Sequence, residues 1–178
     1  MKVIGTEIEG LFILEPDVFG DERGYFFESY NEAKMKKAGL DYNFIQDNQS
    51  FSKYGTVRGL HMQKGAFSQA KLVRVLKGKV LDVAVDGRKG SKTYGKHIAV
   101  ELSAENKRQL LIPREFLHGF SVLSDEAEFF YKCDNVYNKE SEVGVKFDDI
   151  DLGIDWRIEK GKEILSEKDK TNICWKDF

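Results

Sequence analysis

Short apolar runs broken by turn residues dominate this chain. Residues 72–76, 80–85, 97–102, 109–112, 119–123 and 128–137 are rich in Val, Ile, Leu, Phe and Tyr. Lys77-Gly78-Lys79, the stretch from Asp86 to Gly90 and the stretch from Ser103 to Lys107 separate some of them. Glycine, asparagine and aspartate at such points are turn formers, so the runs between them read as strands. Many strands at short spacing predict a mainly β domain, a sandwich or a barrel. One stretch reads as helix: residues 31–38 are helix formers, with Asn31 as cap and Gly39 as stop. From Asp148 onward the pattern predicts turns and one short helix.

Alternation assigns side chains to faces, because successive residues of a strand point to opposite sides. Lys71, Val73 and Val75 share one face, and Leu72, Arg74 and Leu76 the other. In the next run Asp82, Ala84 and Asp86 oppose Leu81, Val83 and Val85. A hairpin through Lys77-Gly78-Lys79 would pair Lys71 with Asp82. Arg58 and His61 lie an odd number of residues apart, so a regular strand sends them to opposite faces. A bulge at Gly59 would turn both into one cavity.

Composition narrows the classes. The chain has 178 residues, 41% hydrophobic and 33% charged, which fits a single soluble domain over residues 1–178. A net charge of −2 gives no basic stripe for nucleic acid. No apolar run approaches the ~20 residues that span a membrane. Glu7 and Glu9 interrupt the N-terminal stretch, which has no signal-peptide core. Cys133 and Cys174 stand in no metal-like spacing and read as reduced thiols of a cytoplasmic protein.

Candidate chemistry sits in residues 57–63, Val-Arg-Gly-Leu-His-Met-Gln, and in the following Lys71. Charge buried without a partner is costly, so cationic groups in strand-forming sequence point to an anionic ligand or to chemistry. His97, beside Lys96, reads as a surface residue. His61 and His118 each lie close to a glycine in apolar sequence, and Arg58, Lys71 and Tyr131 occupy neighbouring strand-like segments. A metal site needs a third ligand. Position 63 is glutamine, and no Asp or Glu falls between it and Lys71, so the reading favours no metal and no cofactor. Histidine is a natural base near neutral pH and needs an orienting carboxylate, for which Asp169 is a candidate. Tyr131 suits a proton donor, Lys71 an enolate oxygen, Arg58 and Arg23 a diphosphate, and Tyr137 a stacking surface. The residues alone leave these roles open.

Several blocks together resemble the dTDP-4-dehydrorhamnose 3,5-epimerase family: FGDERGYFFESY (19–30), IQDNQSFSKYGTVRGLHMQ (45–63), QAKLVRVLKGKVLDVAVDGRKGSKTYGKH (69–97), LLIPREFLHGFSVLSDEAEFFYKCDNVYN (110–138), DDIDLGIDW (148–156) and ILSEKD (164–169). The resemblance implies a cupin-type jelly roll and a metal-free epimerase of a dTDP-4-keto-6-deoxy sugar. It implies that His61 removes protons at C3 and C5, that Asp169 holds it, that Tyr131 returns a proton from the other face, and that Lys71 stabilises the enolate. His118 and Asp82 would line the cavity. Arg23, Glu28, Gln46, Asn48 and Arg58 would hold the nucleotide and diphosphate, and Phe26 and Tyr137 would line or stack in the nucleotide site. The resemblance also implies a homodimer whose strands cross between subunits. The chain departs from the family pattern at Met62, where tyrosine is usual, at Lys64 through Ser68, at Glu115-Phe-Leu-His118, and at Arg157, where proline is usual. Met62 and Phe67 lie beside the site and bear on whether one carbon or two is epimerised. The competing readings are a mono-epimerase or ketoisomerase of a related sugar nucleotide, a non-catalytic sugar-nucleotide-binding cupin, and a metal-dependent cupin.

Overall fold

Alternating burial along the strands closes them into two facing sheets in the computed structural model, which describes residues 1–178. The chain order is β1 (Lys2–Gly5), β2 (Phe12–Glu15), β3 (Val18–Asp21), β4 (Gly24–Phe27), α1 (Glu32–Lys37), β5 (Gln46–Lys53), β6 (Val57–Gln63), β7 (Lys71–Lys77) and β8 (Lys79–Asp86). There follow β9 (His97–Ser103), β10 (Gln109–Ile112), β11 (Phe116–Val122), β12 (Glu126–Cys133), β13 (Glu142–Gly144) and α2 (Glu167–Lys170). One sheet has the order β1-β2-β10-β7-β12-β5, the other β13-β6-β11-β8-β9, and β3 and β4 form a separate hairpin. All named strand pairs are antiparallel.

The main core lies between the sheets. Val73, Val75, Leu110 and Phe129 come from one side, and Val80, Ala84, Leu102 and Phe120 from the other. Phe120 and Phe129 stack across the gap at 4.2 Å between ring centroids. A second cluster, with Leu60, Leu81, Val83, Val85 and Trp156, covers the outer face of the five-stranded sheet. A third packs Leu72 and Leu111 under Met35 of α1. Both α1 and its cap follow the expected chemistry: the Asn31 side chain accepts from the Lys34 backbone N–H.

The expected facial alternation of residues 71–76 and 80–85 holds, but the expected hairpin does not form. The Lys77-Gly78-Lys79 connection carries the chain from one sheet to the other, so β7 and β8 are not ladder neighbours. Lys71 and Asp82 share the interior instead of a ladder. The run at 128–137 also ends earlier than expected, with β12 closing at Cys133.

The bulge expected at Gly59 is present. In the β6–β11 ladder His61 pairs with His118 and Arg58 with Phe120, so β6 spends one residue more than β11 over the same span. Gly59 has φ +120, and a Cβ there would lie 2.6 Å from Gly119 Cα and 2.7 Å from the His118 carbonyl oxygen. Glycine is required on both counts.

Asp86 ends β8 fully buried and ties down the following loop. It accepts from Arg88 Nε and Nη2, Ser91 Oγ and Thr93 Oγ1. Burial opposes its charge, but Arg88 and the two hydroxyls outweigh that and hold the carboxyl far below the usual range. Its folded value lies below its unfolded value of about 3.9. The stabilisation is therefore complete above that pH and is lost as pH falls below it. Asp86→Asn should cost about 3 kcal/mol at neutral pH. Urea unfolding checks this: the gap between parent and variant should narrow as the pH is taken into the acid range, and a pH-independent gap would contradict it.

Candidate active site

Strand β5 reads as polar because its inward side chains face a cavity and not the core. Gln46, Asn48, Ser50 and Ser52 are sheltered, while Asp47, Gln49, Phe51 and Lys53 are exposed. Opposite β5 and β12 stand β6 and β11. The cavity between them has a volume of about 710 Å³ and is lined by Asn48, Arg58, His61, Lys71, His118, Tyr131 and Asp169, among others. A smaller lobe of about 160 Å³ continues past Gln46, Gln63, Cys133, Tyr137 and Glu142. Asn48, His61, Lys71 and Tyr131 line both lobes and mark their junction.

His61 reaches the cavity because of the bulge. Its Nε2 lies 2.5 Å from Asp169 Oδ1, and its Nδ1 lies 4.0 Å from Glu142 Oε1. Nε2 and Oδ1 are buried and have no other partner. Their approach is too far off the ring N–H axis to be an aligned hydrogen bond. Asp169 is brought there by α2, which backbone bonds on both sides hold in place. Val57 N donates to the Ile164 carbonyl at 3.0 Å, Ile164 N to the Gly55 carbonyl at 2.8 Å, and Lys146 N to the Ile173 carbonyl at 2.9 Å. Burial opposes the charge on Asp169, yet His61 and the Ser166 hydroxyl hold its carboxyl below the usual range.

Two further groups face the junction from β7 and β12. Burial pushes the Lys71 ammonium below the ordinary lysine range, and no carboxylate forms an ion pair with it. Its Nζ stands 6.0 Å from the centre of the Tyr131 ring. Burial pushes the Tyr131 phenol upward, which keeps it protonated near neutral pH. Arg58 is fixed by Ser52 Oγ at 3.1 Å and the Phe51 carbonyl at 3.3 Å, which leaves other N–H groups of its fork for a ligand.

His118 lines the cavity as expected, but Asp82 does not. Asp82 is fully buried behind it, and its two oxygens lie 3.0 and 3.1 Å from His118 Nε2. Burial lowers the proton affinity of His118 and Asp82 partly restores it. Gln46 Nε2 donates to Asn48 Oδ1 at 3.1 Å, and both sit in the smaller lobe. Tyr137 is exposed at the rim of that lobe and donates to Glu142 Oε2 at 2.8 Å. Gln63 carries the tyrosine loop, donating to the Val136 carbonyl at 3.0 Å and accepting from Asn138 N at 2.5 Å. Met62 is buried in the outer cluster and edges the smaller lobe.

Arg23, Phe26 and Glu28 are not brought to this cavity. Arg23 and Phe26 belong to the β3–β4 hairpin region, with Phe26 71% exposed and Arg23 paired to Asp21. Glu28 pairs with Lys34 at 2.8 Å. Two site residues escape the pattern reading. Glu142 opens the three-residue strand β13 in a polar stretch without periodicity and is held by Lys168 and Tyr137, which keep its carboxyl low against burial. Ser166 is the second, although serine three residues before Asp169 is a helix-start signature that could have found it. No three His, Cys, Asp or Glu side chains gather in a ligand-like cluster, and no helix is long and apolar enough to cross a membrane.

A half-buried histidine against a buried carboxylate on one wall and a protonated phenol on the other is an arrangement for moving protons on two faces of one small molecule. It places this sandwich among the cupin-type epimerases. The pattern that defines the dTDP-4-dehydrorhamnose 3,5-epimerases matches residues 5–177. The enzyme of that name from Shigella flexneri is 53% identical over 170 residues, which cover 95% of this chain and 93% of the relative. The crystal structure of the Elizabethkingia anophelis dTDP-4-dehydrorhamnose 3,5-epimerase superposes with a TM-score of 0.95 at 57% identity, covering 99% of this chain and 97% of the other. The Legionella pneumophila dTDP-6-deoxy-D-glucose-3,5-epimerase, solved in complex with dTDP-4-keto-L-rhamnose, gives 0.93 at 46% identity, covering 97% and 92%. The chain belongs to the dTDP-4-dehydrorhamnose 3,5-epimerase family. It is an isomerase of dTDP-sugar metabolism.

Proposed function

We propose that His61 and Tyr131 act as base and acid on opposite faces of a 4-keto sugar ring held between the sheets. The reaction is the epimerisation of dTDP-4-dehydro-6-deoxy-D-glucose at C3 and C5 to dTDP-4-dehydro-L-rhamnose. His61 takes the proton from carbon, and the C–H electron pair moves through the adjacent C–C bond to the C4 oxygen. Asp169 orients the imidazole and balances the positive charge that forms. Lys71, an ammonium without a carboxylate partner, stabilises the enolate oxygen. Tyr131 then donates its phenolic proton to the opposite face of the same carbon, which inverts it. His61 releases its proton to solvent and the phenolate takes one back, so no net proton is consumed. The observation that carries this reading is the placement of His61 on β6 and Tyr131 on β12, in different sheets and at the junction of one cavity.

The nucleotide diphosphate is held by Arg58, Gln46 and Asn48, with His118 steadied behind by Asp82 and with Tyr137 as a stacking surface. Arg23, Phe26 and Glu28 stand outside their own chain's cavity, which supports a homodimer in which they complete the neighbouring subunit's site. Incubation with dTDP-4-keto-6-deoxyglucose in deuterated water tests the reaction. Deuterium should enter at C3 and at C5. Label at one carbon alone would make the protein a mono-epimerase, a displaced carbonyl a ketoisomerase, and no label a binding protein.

A further inference from the structure

Ser166 caps α2, but its hydroxyl does more than a cap requires. An N-cap serine accepts a backbone N–H, and Ser166 Oγ accepts from Asp169 N at 3.1 Å. The same hydroxyl also donates its single proton to Asp169 Oδ2 at 2.8 Å. That donation engages one carboxylate oxygen and leaves the other, Oδ1, 2.5 Å from His61 Nε2. Ser166 itself lines the cavity beside Asp169.

A carboxylate at the end of an aspartate side chain rotates in a broad, two-fold well. Here the carrier is a helix of four residues, so the helix alone does little to fix that rotation. We propose that Ser166 is a positioning residue of the epimerase: its hydroxyl locks the Asp169 carboxylate with Oδ1 toward His61 and draws off part of its negative charge. The inference rests on His61 being the base. The same bond keeps the carboxyl ionised as the pH falls, so that Asp169 stays charged beside the base. Other charges act on the pair. Lys168 of α2 acts on Asp169, Glu142 of β13 faces Nδ1 of His61, and Lys71 of β7 and His118 of β11 stand across the cavity. None of them forms a hydrogen bond with Asp169.

The test compares Ser166→Gly with Ser166→Thr, reading the pH profile of kcat/KM and deuterium incorporation. Glycine is a tolerated N-cap that costs only a few tenths of a kcal/mol relative to serine, so it removes the hydroxyl and keeps the helix start. Ser166→Gly should lower kcat roughly 10-fold, the scale on which groups behind a functional side chain act, with KM nearly unchanged. The acidic limb of its profile should move to higher pH, because the Asp169 carboxyl loses the hydroxyl that helps to hold it low and takes up a proton sooner as the pH falls. Ser166→Thr, which keeps cap and donor, should restore both rate and profile. A glycine variant with an unmoved profile would overturn the inference, as would a threonine variant as impaired as glycine. Should the glycine variant melt early, the threonine arm decides alone: a profile displaced from that of the parent refutes the role. His61→Asn run alongside separates the two readings. If it still exchanges deuterium, the base assignment fails and takes this inference with it. If it does not, an unmoved Ser166→Gly profile refutes the positioning role only.

Discussion

Asparagine at position 61 is expected to end deuterium exchange at both sugar carbons without unfolding the protein. The amide retains an N–H for Asp169 but has no basicity near neutral pH. General base catalysis typically contributes about 10²–10⁴-fold, so residual incorporation should fall by at least the lower figure. The side chain is 24% exposed and sits in a cavity, so the melting temperature should stay near that of the parent. NMR-detected incorporation alongside a thermal melt checks both halves. Exchange within tenfold of the parent would show that another group removes the protons.

Alanine at position 59 should damage stability and activity together. Both predicted clashes of its Cβ are with backbone atoms, at 2.6 and 2.7 Å, and the backbone stands at φ +120. Neither a rotamer change nor a small side-chain shift relieves them. A cost of about 4 kcal/mol places the substitution among the exceptional ones, and at about 2–4 °C per kcal/mol the melting temperature should drop by roughly 8–16 °C. Activity should fall further than stability explains, because the bulge is what turns Arg58 and His61 to one side. A calorimetric melt and kcat/KM below the new transition measure the two effects. An unchanged melting temperature would mean that β6 and β11 can separate at no cost.

The β-class and the strands from β7 to β12 were legible because their cores are apolar and their turns carry glycine. The bulge was legible from parity alone: Arg58 and His61 needed one extra residue to share a face, and Gly59 could supply it. Strand β5 was not, since its inward residues are amides and hydroxyls that serve a cavity. The Lys71–Asp82 ladder failed because a tight turn specifies a reversal of the chain and not the sheet that the next strand joins. Asp82 was misplaced for a related reason. Alternation gives its face, but not that His118 stands between it and the open space. Asp169 became a partner of His61 through bonds from Ile164 and Ile173 that no local pattern announces.

The stacked rings of Phe120 and Phe129 give the reaction a gauge. They prop the sheet that carries His61 away from the sheet that carries Tyr131, and facing sheets stand about 10 Å apart. On the roles proposed for His61 and Tyr131, that spacing sets how far the base stands from the acid. The aromatic pair thus works as a spacer block: shaving either ring would bring the walls closer and narrow the space between His61 and Tyr131.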